Sequence, residues 1–229
     1  MEKQTKPRSR TWKQDPAAVR ADIMRAAKSE FAQHGLTGAR VQDIVDKIQT
    51  SKRTIFYYFG DKEGLYREVL EDAYRKVRKG EADLNLDGLQ PIEALRRLVE
   101  FTFDHHRDNA EFIRLVSIEN IHNGRYMRNI DTLSQTNTFA IDQLESICEA
   151  GKAAGVFHKD VSALALHWQI SAMSFFNVSN KTTFMINFGD ALFSDQAQQE
   201  LRETVVQTTL HSVKIQAKTW PLSIATKPA

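Results

Sequence analysis

Gln49-Thr50-Ser51-Lys52-Arg53-Thr54-Ile55-Phe56-Tyr57-Tyr58-Phe59 reads as a tight turn running into a short helix. Ser51 is a hydroxyl residue suited to capping a helix, and Ile55 and Phe59, at i and i+4, share one apolar face. Lys52, Arg53, Thr54, Tyr57 and Tyr58 are left on the other side, a basic, hydroxylated and aromatic surface. Just upstream, Val41, Ile44, Val45 and Ile48 recur at helical spacing over about two turns. Two short helices joined by a tight turn, the first bracing and the second presented outward, make up a helix-turn-helix.

The flanking segments complete a small helical unit. Asp15-Pro16 supplies an N-cap and a proline at the first helical position, Val19, Ile23, Ala27 and Phe31 repeat every fourth residue, and Gly35 suits a left-handed helix end. After Gly60, Asp61 can cap a fourth helix that turns Leu65, Val69, Ala73 and Val77 inward. The reading divides the chain into a basic flexible arm at 1–14, a helix-turn-helix domain at 15–62 and a larger helical body at 63–229. Asp83 to Gln90 forms a loop, and periodic segments follow at about 91–108, 110–121, 126–151, 160–178 and 194–216, with breakers at Asn123-Gly124, Gly151 to Gly155 and Asn187 to Gly189. No strand pattern is present, so the expected fold is all-α, a three-helix DNA-binding domain joined to a helical bundle.

Charge is divided in the same way. The net +2 of the whole chain conceals 18 Lys+Arg against 11 Asp+Glu in residues 1–80, and 13 against 18 beyond them. A basic end on an acidic body suits an approach to phosphates by the first part alone. No apolar run is long enough to span a membrane, the N-terminus has no signal-peptide core, and the single cysteine, Cys148, has no internal partner, which together point to a cytoplasmic protein. Cys148 is expected to be buried and unreactive. His105 and His106 are adjacent and cannot face one ion from a regular helix, so neither metal nor cofactor is expected. Nucleophile-elbow, phosphate-loop, HExxH and dinucleotide-binding patterns are missing too, which places an enzyme last among the readings.

Lys52 to Leu65, KRTIFYYFGDKEGL, together with Val41-Gln42-Asp43-Ile44 and Phe31-x-x-x-Gly35, closely resembles the N-terminal domain of the tetracycline-repressor family of bacterial regulators. Two positions depart from that pattern. Gln49 replaces the usual turn glycine, so it must accept a positive φ or change the turn, and Arg40 replaces a capping threonine. The resemblance implies phosphate contacts from Thr54 and from Tyr57 or Tyr58. Lys62 would add its charge to the helix-end donors, and Ser51 opens the recognition helix. Arg53, Lys52, Arg40 and Gln42 are the candidates for base edges, Arg matching guanine and Gln adenine. The basic arm either tracks phosphates, enters a minor groove or is a solvated tail.

For the body the resemblance implies architecture only, a dimerisation and ligand domain. Phe101, His105, Phe112 and Glu119 are candidates for a small organic effector, with aromatic core and surface histidines as the competing reading. Leu164, Trp168, Phe175, Leu201, Val205 and Ser212 are candidates for a homodimer interface formed by the last two long helices. A dimer would read a palindromic double-stranded operator, and the effector would release a repressor from it. Control by a protein partner, or no control, is the alternative.

Overall fold

The structure, a computed structural model, describes residues 15–215, with the backbone alone at 129 and 131–137. The arm at 1–14 lies outside the described residues. Ten α-helices and two short 3-10 turns make up the described chain: α1 Pro16–Gly38, α2 Val41–Ile48, α3 Lys52–Phe59, α4 Lys62–Ala82, α5 Pro91–Asp108, α6 Ala110–Ile121, α7 Asp131–Ala153, α8 Ala163–Ser179, α9 Lys181–Phe188 and α10 Asp195–Val213, with the 3-10 turns at Met127–Asn129 and Ala191–Phe193. Among the described residues the only β-type pairing is one isolated bridge between Phe157 and Lys214. None of the described helices is long and apolar enough to cross a membrane.

Two compact units divide within α4, after Val69. In the first, Asp15 caps α1 by accepting from the amides of Ala17 and Ala18 at 3.0 and 3.1 Å. Ile23, Ala27 and Phe31 of α1 are fully buried with Ile44, Ile55, Leu65 and Tyr66. The Phe31 and Tyr66 rings meet edge to face at 5.0 Å. Gly35 takes φ 63°, which breaks α1 before its last turn to Gly38. That turn is the part of α1 that the sequence pattern did not carry.

The second unit is built on α5, which packs against α8, α10, α7 and α6. Leu95, Val99, Phe103, Leu144, Leu166, Ile170, Val205, Val206 and Leu210 form one continuous core with Cys148. Cys148 is buried, and burial pushes its thiol up to about 12, so it carries little thiolate at neutral pH. Two elements differ from the sequence reading. The segment expected from 126 opens instead with the 3-10 turn and starts as α7 only at Asp131. In addition, α9 forms where no helix was expected, across the Asn187 breaker, and it ends at Gly189 with φ 83°. Its eight residues carry too few turns for a periodicity to emerge.

Candidate nucleic-acid interface

The recognition helix is held from both sides. Ser51 Oγ accepts from the Thr54 amide at 3.1 Å, and the two hydroxyls lie 2.8 Å apart. Ile55 and Phe59 anchor α3 in the core, while the Arg20 guanidinium sits 5.3 Å from the Phe59 ring centre and pairs with Glu68. These anchors fix which face turns outward. Lys52, Arg53 and Tyr57 are exposed on that face, and Thr54 and Tyr58 are half-buried. The rings of Tyr57 and Tyr58 meet edge to face at 5.3 Å, which holds the two phenols together. Lys62, the first residue of α4, is half-buried beside the Asp61 cap, whose Oδ1 accepts from the Gly64 amide at 2.6 Å. Lys52, Arg53 and Lys62 form no ion pair among the described residues, so their donors are unspent.

The turn adopts the strained solution. Gln49 sits in the left-handed region at φ 54°, ψ 47°, and its amide donates to Val45 O. A side chain there costs about 1–2 kcal/mol relative to a right-handed residue. No side chain caps α2 locally at Arg40. Glu30 of α1 does part of that work from a distance: its buried carboxylate takes the Arg40 amide and the Lys47 ammonium, the latter at 2.8 Å. Glu30 was not among the sequence candidates; a carboxylate on the otherwise apolar Ile23–Phe31 face was the available signal. Gln42 is exposed enough to reach outward, but its amide is already held by Asp46 Oδ1 at 2.7 Å.

In the second unit, three of the four effector candidates share one aromatic cluster. Phe101 and His105 rings lie 5.6 Å apart, His105 and Phe112 5.8 Å, and Tyr74 of α4 adds its ring to Phe112 at 5.3 Å. Phe101 packs directly on Gly80, where an added Cβ would stand 2.4 Å from its ring. Glu119 is buried and takes a different role, accepting from the Tyr126 and Met127 amides at 3.2 and 3.3 Å and so ordering the 3-10 turn. The cluster also holds His106, beside Phe112, and side chains that sequence reasoning missed: Tyr74, the Arg78–Glu81 ion pair and His167. Tyr74 and Arg78 lie one turn apart on α4, a stripe overlooked beside Val69, Ala73 and Val77. His106 Nδ1 donates to the Thr102 carbonyl at 2.7 Å. Burial pushes the His106 imidazole down to about 4, against the Thr102 hydrogen bond and with the His105, Arg78 and His167 charges adding to the fall. Burial and the Arg78 charge do the same to His167, also to about 4.

The interface candidates fall on the α8–α10 side. Trp168 is largely exposed, and Leu164, Phe175, Leu201 and Ser212 are half-buried. Val205 is buried in the core of the second unit, and Ser212 donates to Thr209 O at 2.8 Å. An apolar groove of about 470 Å³ runs between α8, α9 and α10, lined by Met173, Phe176, Phe184, Leu201 and Val205 among others.

A capped, outward-facing helix with unspent cations, set behind a bracing helix by a left-handed turn, defines a helix-turn-helix DNA-binding protein. Residues 23–69 match the model for bacterial regulatory proteins of the tetR family, and residues 91–209 match the model for the tetracyclin repressor-like C-terminal domain. The chain belongs to the tetracycline-repressor family and is a DNA-binding transcriptional regulator. It is 34% identical over 182 residues to the HTH-type transcriptional repressor NicS of Pseudomonas putida, a match covering 80% of this chain and 86% of that one. It is also 32% identical over 110 residues to the HTH-type transcriptional repressor SCO4008 of Streptomyces coelicolor, covering 48% and 54%. Among solved structures, a bacterial regulatory protein in the tetR family from Rhodococcus RHA1 shares the fold at a TM-score of 0.70 and 18% identity, covering 86% of this chain and 98% of that one.

Proposed function

We propose that this regulator is a homodimeric repressor that binds a palindromic operator in the cytoplasm and is released from it by a small, largely apolar organic molecule. The observation that carries the reading is the course of α4, which begins at Lys62 beside the recognition helix and bears Tyr74 and Arg78 in the aromatic cluster of Phe101, His105 and Phe112. A molecule held at that cluster bears on α4, the helix whose first residue is Lys62. Release requires that the molecule bind the DNA-incompetent arrangement more tightly, and a differential of about 1–3 kcal/mol is typical of such coupling.

The DNA-reading roles divide by chemistry. Lys62, Thr54 and the Tyr57–Tyr58 pair position the protein on phosphates, and Arg53 and Lys52 read bases, with Arg40 and Gln42 from α2 in support. Gln42 must exchange its Asp46 hydrogen bond for a base edge to do so. Dimerisation is assigned to the α8–α10 side around Trp168. The test is to select the operator from random duplexes, then screen small aromatic molecules for release of the protein from it by fluorescence anisotropy. Release that is lost in Phe112→Ala, with operator affinity retained, is the expected result. Operator binding indifferent to every molecule tested contradicts effector control.

A further inference from the structure

Arg78 of α4 brings a cation into the aromatic cluster of the second unit with its side chain only 13% exposed. One terminal nitrogen pairs with Glu81, but the buried Nε has no hydrogen-bond acceptor among the described residues. A buried donor left in that state is rare and calls for a partner. His106 of α5 bears on the same place. Its Nδ1 lies 2.7 Å from the Thr102 carbonyl, which can only accept, so in the neutral ring the hydrogen sits on Nδ1 and Nε2 keeps a bare lone pair.

The charges that bear on His106 come from His105 on its own helix, Arg78 on α4 and His167 on α8, each a base or a cation. Burial and these neighbours keep its imidazole neutral, at about 4. The buried carboxylates nearby are already engaged. Glu81 holds Arg78, and Glu119 of α6 accepts from the Tyr126 and Met127 amides. Guanidinium, imidazoles and the rings of Tyr74, Phe101 and Phe112 thus surround a place that an anion carried on an aromatic ring would complete.

We propose that the molecule taken by this cluster is an aromatic acid, bound as its carboxylate at Arg78 Nε together with one proton on His106 Nε2. The proposal rests on the effector reading above and names the chemistry of that same site. The ring of the acid packs on the aromatic side chains, and the carboxylate accepts a charge-assisted hydrogen bond from the guanidinium. It also supplies the counter-charge that His106 lacks, so the Nε2 lone pair takes a proton from the acid itself or from solvent. One N–H bond forms, one O–H bond breaks, and the net charge of the site is unchanged. An uncharged ligand leaves Nε2 unprotonated, and a cationic one adds to the charge of Arg78.

The test is isothermal titration calorimetry on the full chain with one- and two-ring aromatic carboxylates, each beside its own primary amide, in two buffers of different ionisation enthalpy. Release from the selected operator is followed in parallel by fluorescence anisotropy. The acids are expected to bind and to release the protein, and the amides to bind at least about tenfold more weakly. Each acid should take up about one proton, with an affinity that falls as pH rises from about 6 to 8 while that of its amide stays flat. His106→Asn keeps a donor for the Thr102 carbonyl and removes the basic nitrogen, so it should abolish the proton uptake and the pH slope. Arg78→Gln should erase the preference for acid over amide, and the comparison in the unaltered chain stands even where that variant unfolds. Amides that bind as tightly as the acids, acids bound without proton uptake, or a pH slope unchanged in His106→Asn overturn the proposal and leave effector control intact. A panel in which no acid binds also overturns it, and operator binding indifferent to uncharged and cationic aromatic molecules as well overturns the effector reading with it.

Discussion

Glu30 Oε2 on α1 receives the Lys47 ammonium of α2 at 2.8 Å, with the Glu30 side chain only 3% exposed. Burial opposes ionisation of that carboxyl, but the Lys47 hydrogen bond and charge, the Arg40 amide and His34 outweigh it and hold the group below its ordinary range. The bracing helix of the DNA-reading unit is therefore tied to the first helix by one buried acid.

Replacing Glu30 with Ala leaves Lys47 and the Arg40 amide without this acceptor. A loss of about 1–3 kcal/mol is expected in the stability of the first unit, seen as a lower denaturation midpoint and weaker operator binding. Because the folded carboxyl titrates below its unfolded value, its contribution is present above the unfolded range and fades as pH falls through the folded one. An unchanged midpoint in Glu30→Ala would contradict this role.

Gln49 gives a prediction of opposite sign. Gly tolerates φ 54° without a Cβ penalty, so Gln49→Gly is expected to stabilise the turn by about 0.5–1 kcal/mol after the entropy of the unfolded glycine is subtracted. A lower denaturation midpoint would show that the Gln49 side chain contributes something that the turn geometry does not reveal.

Arg53 and Lys62 should separate specificity from affinity. Lys62→Ala is expected to weaken binding to all sequences alike and to reduce the salt slope by about one unit, and Arg53→Ala to relax preference at particular bases for about 1–3 kcal/mol. Binding titrations over a salt series against operator and scrambled duplex measure both. Undiminished operator binding in both variants would sink the assignment.

His106 and His167 should make the second unit acid-labile. Their folded values, about 4, lie below the ordinary 6.5, so the unfolded chain binds more protons between those limits. Stability is complete above about pH 6.5 and is lost as pH falls toward 4. The other ionisable groups of the cluster are Arg78, Glu81, His105, Tyr74 and Glu119, and Glu81, whose carboxyl burial pushes up, contributes a slope of opposite sign. Urea midpoints measured from pH 7 to 4.5 should fall, and fall less in His167→Gln. A flat profile contradicts buried neutral imidazoles.

The DNA-reading unit was legible in the sequence because its signals are local. Asp15, Ser51 and Asp61 cap their own helices, and Ile55 and Phe59 repeat at one turn, so caps and periodicity suffice. What holds the unit together was not legible in the same way: Glu30 reaches Lys47 across 17 positions, and no spacing rule announces that pair. In the body, the limits of α5 and α6 follow from Pro91 and Asn109, but α9 is too short to declare a period. The aromatic cluster was half legible. Phe101, His105 and Phe112 lie on adjacent helices, whereas Tyr74, Arg78 and His167 arrive from α4 and α8 through packing alone.

The central claim is that two copies of this chain read DNA through α3. Selection of bound duplexes from a random library by the full-length protein tests it most directly. The account predicts enrichment of an inverted repeat whose half-site centres lie about 34–36 Å apart, or a multiple of that distance, with the enrichment lost in Arg53→Ala. Recovery of no enriched sequence, or of a lone half-site that Arg53→Ala selects equally well, would contradict it.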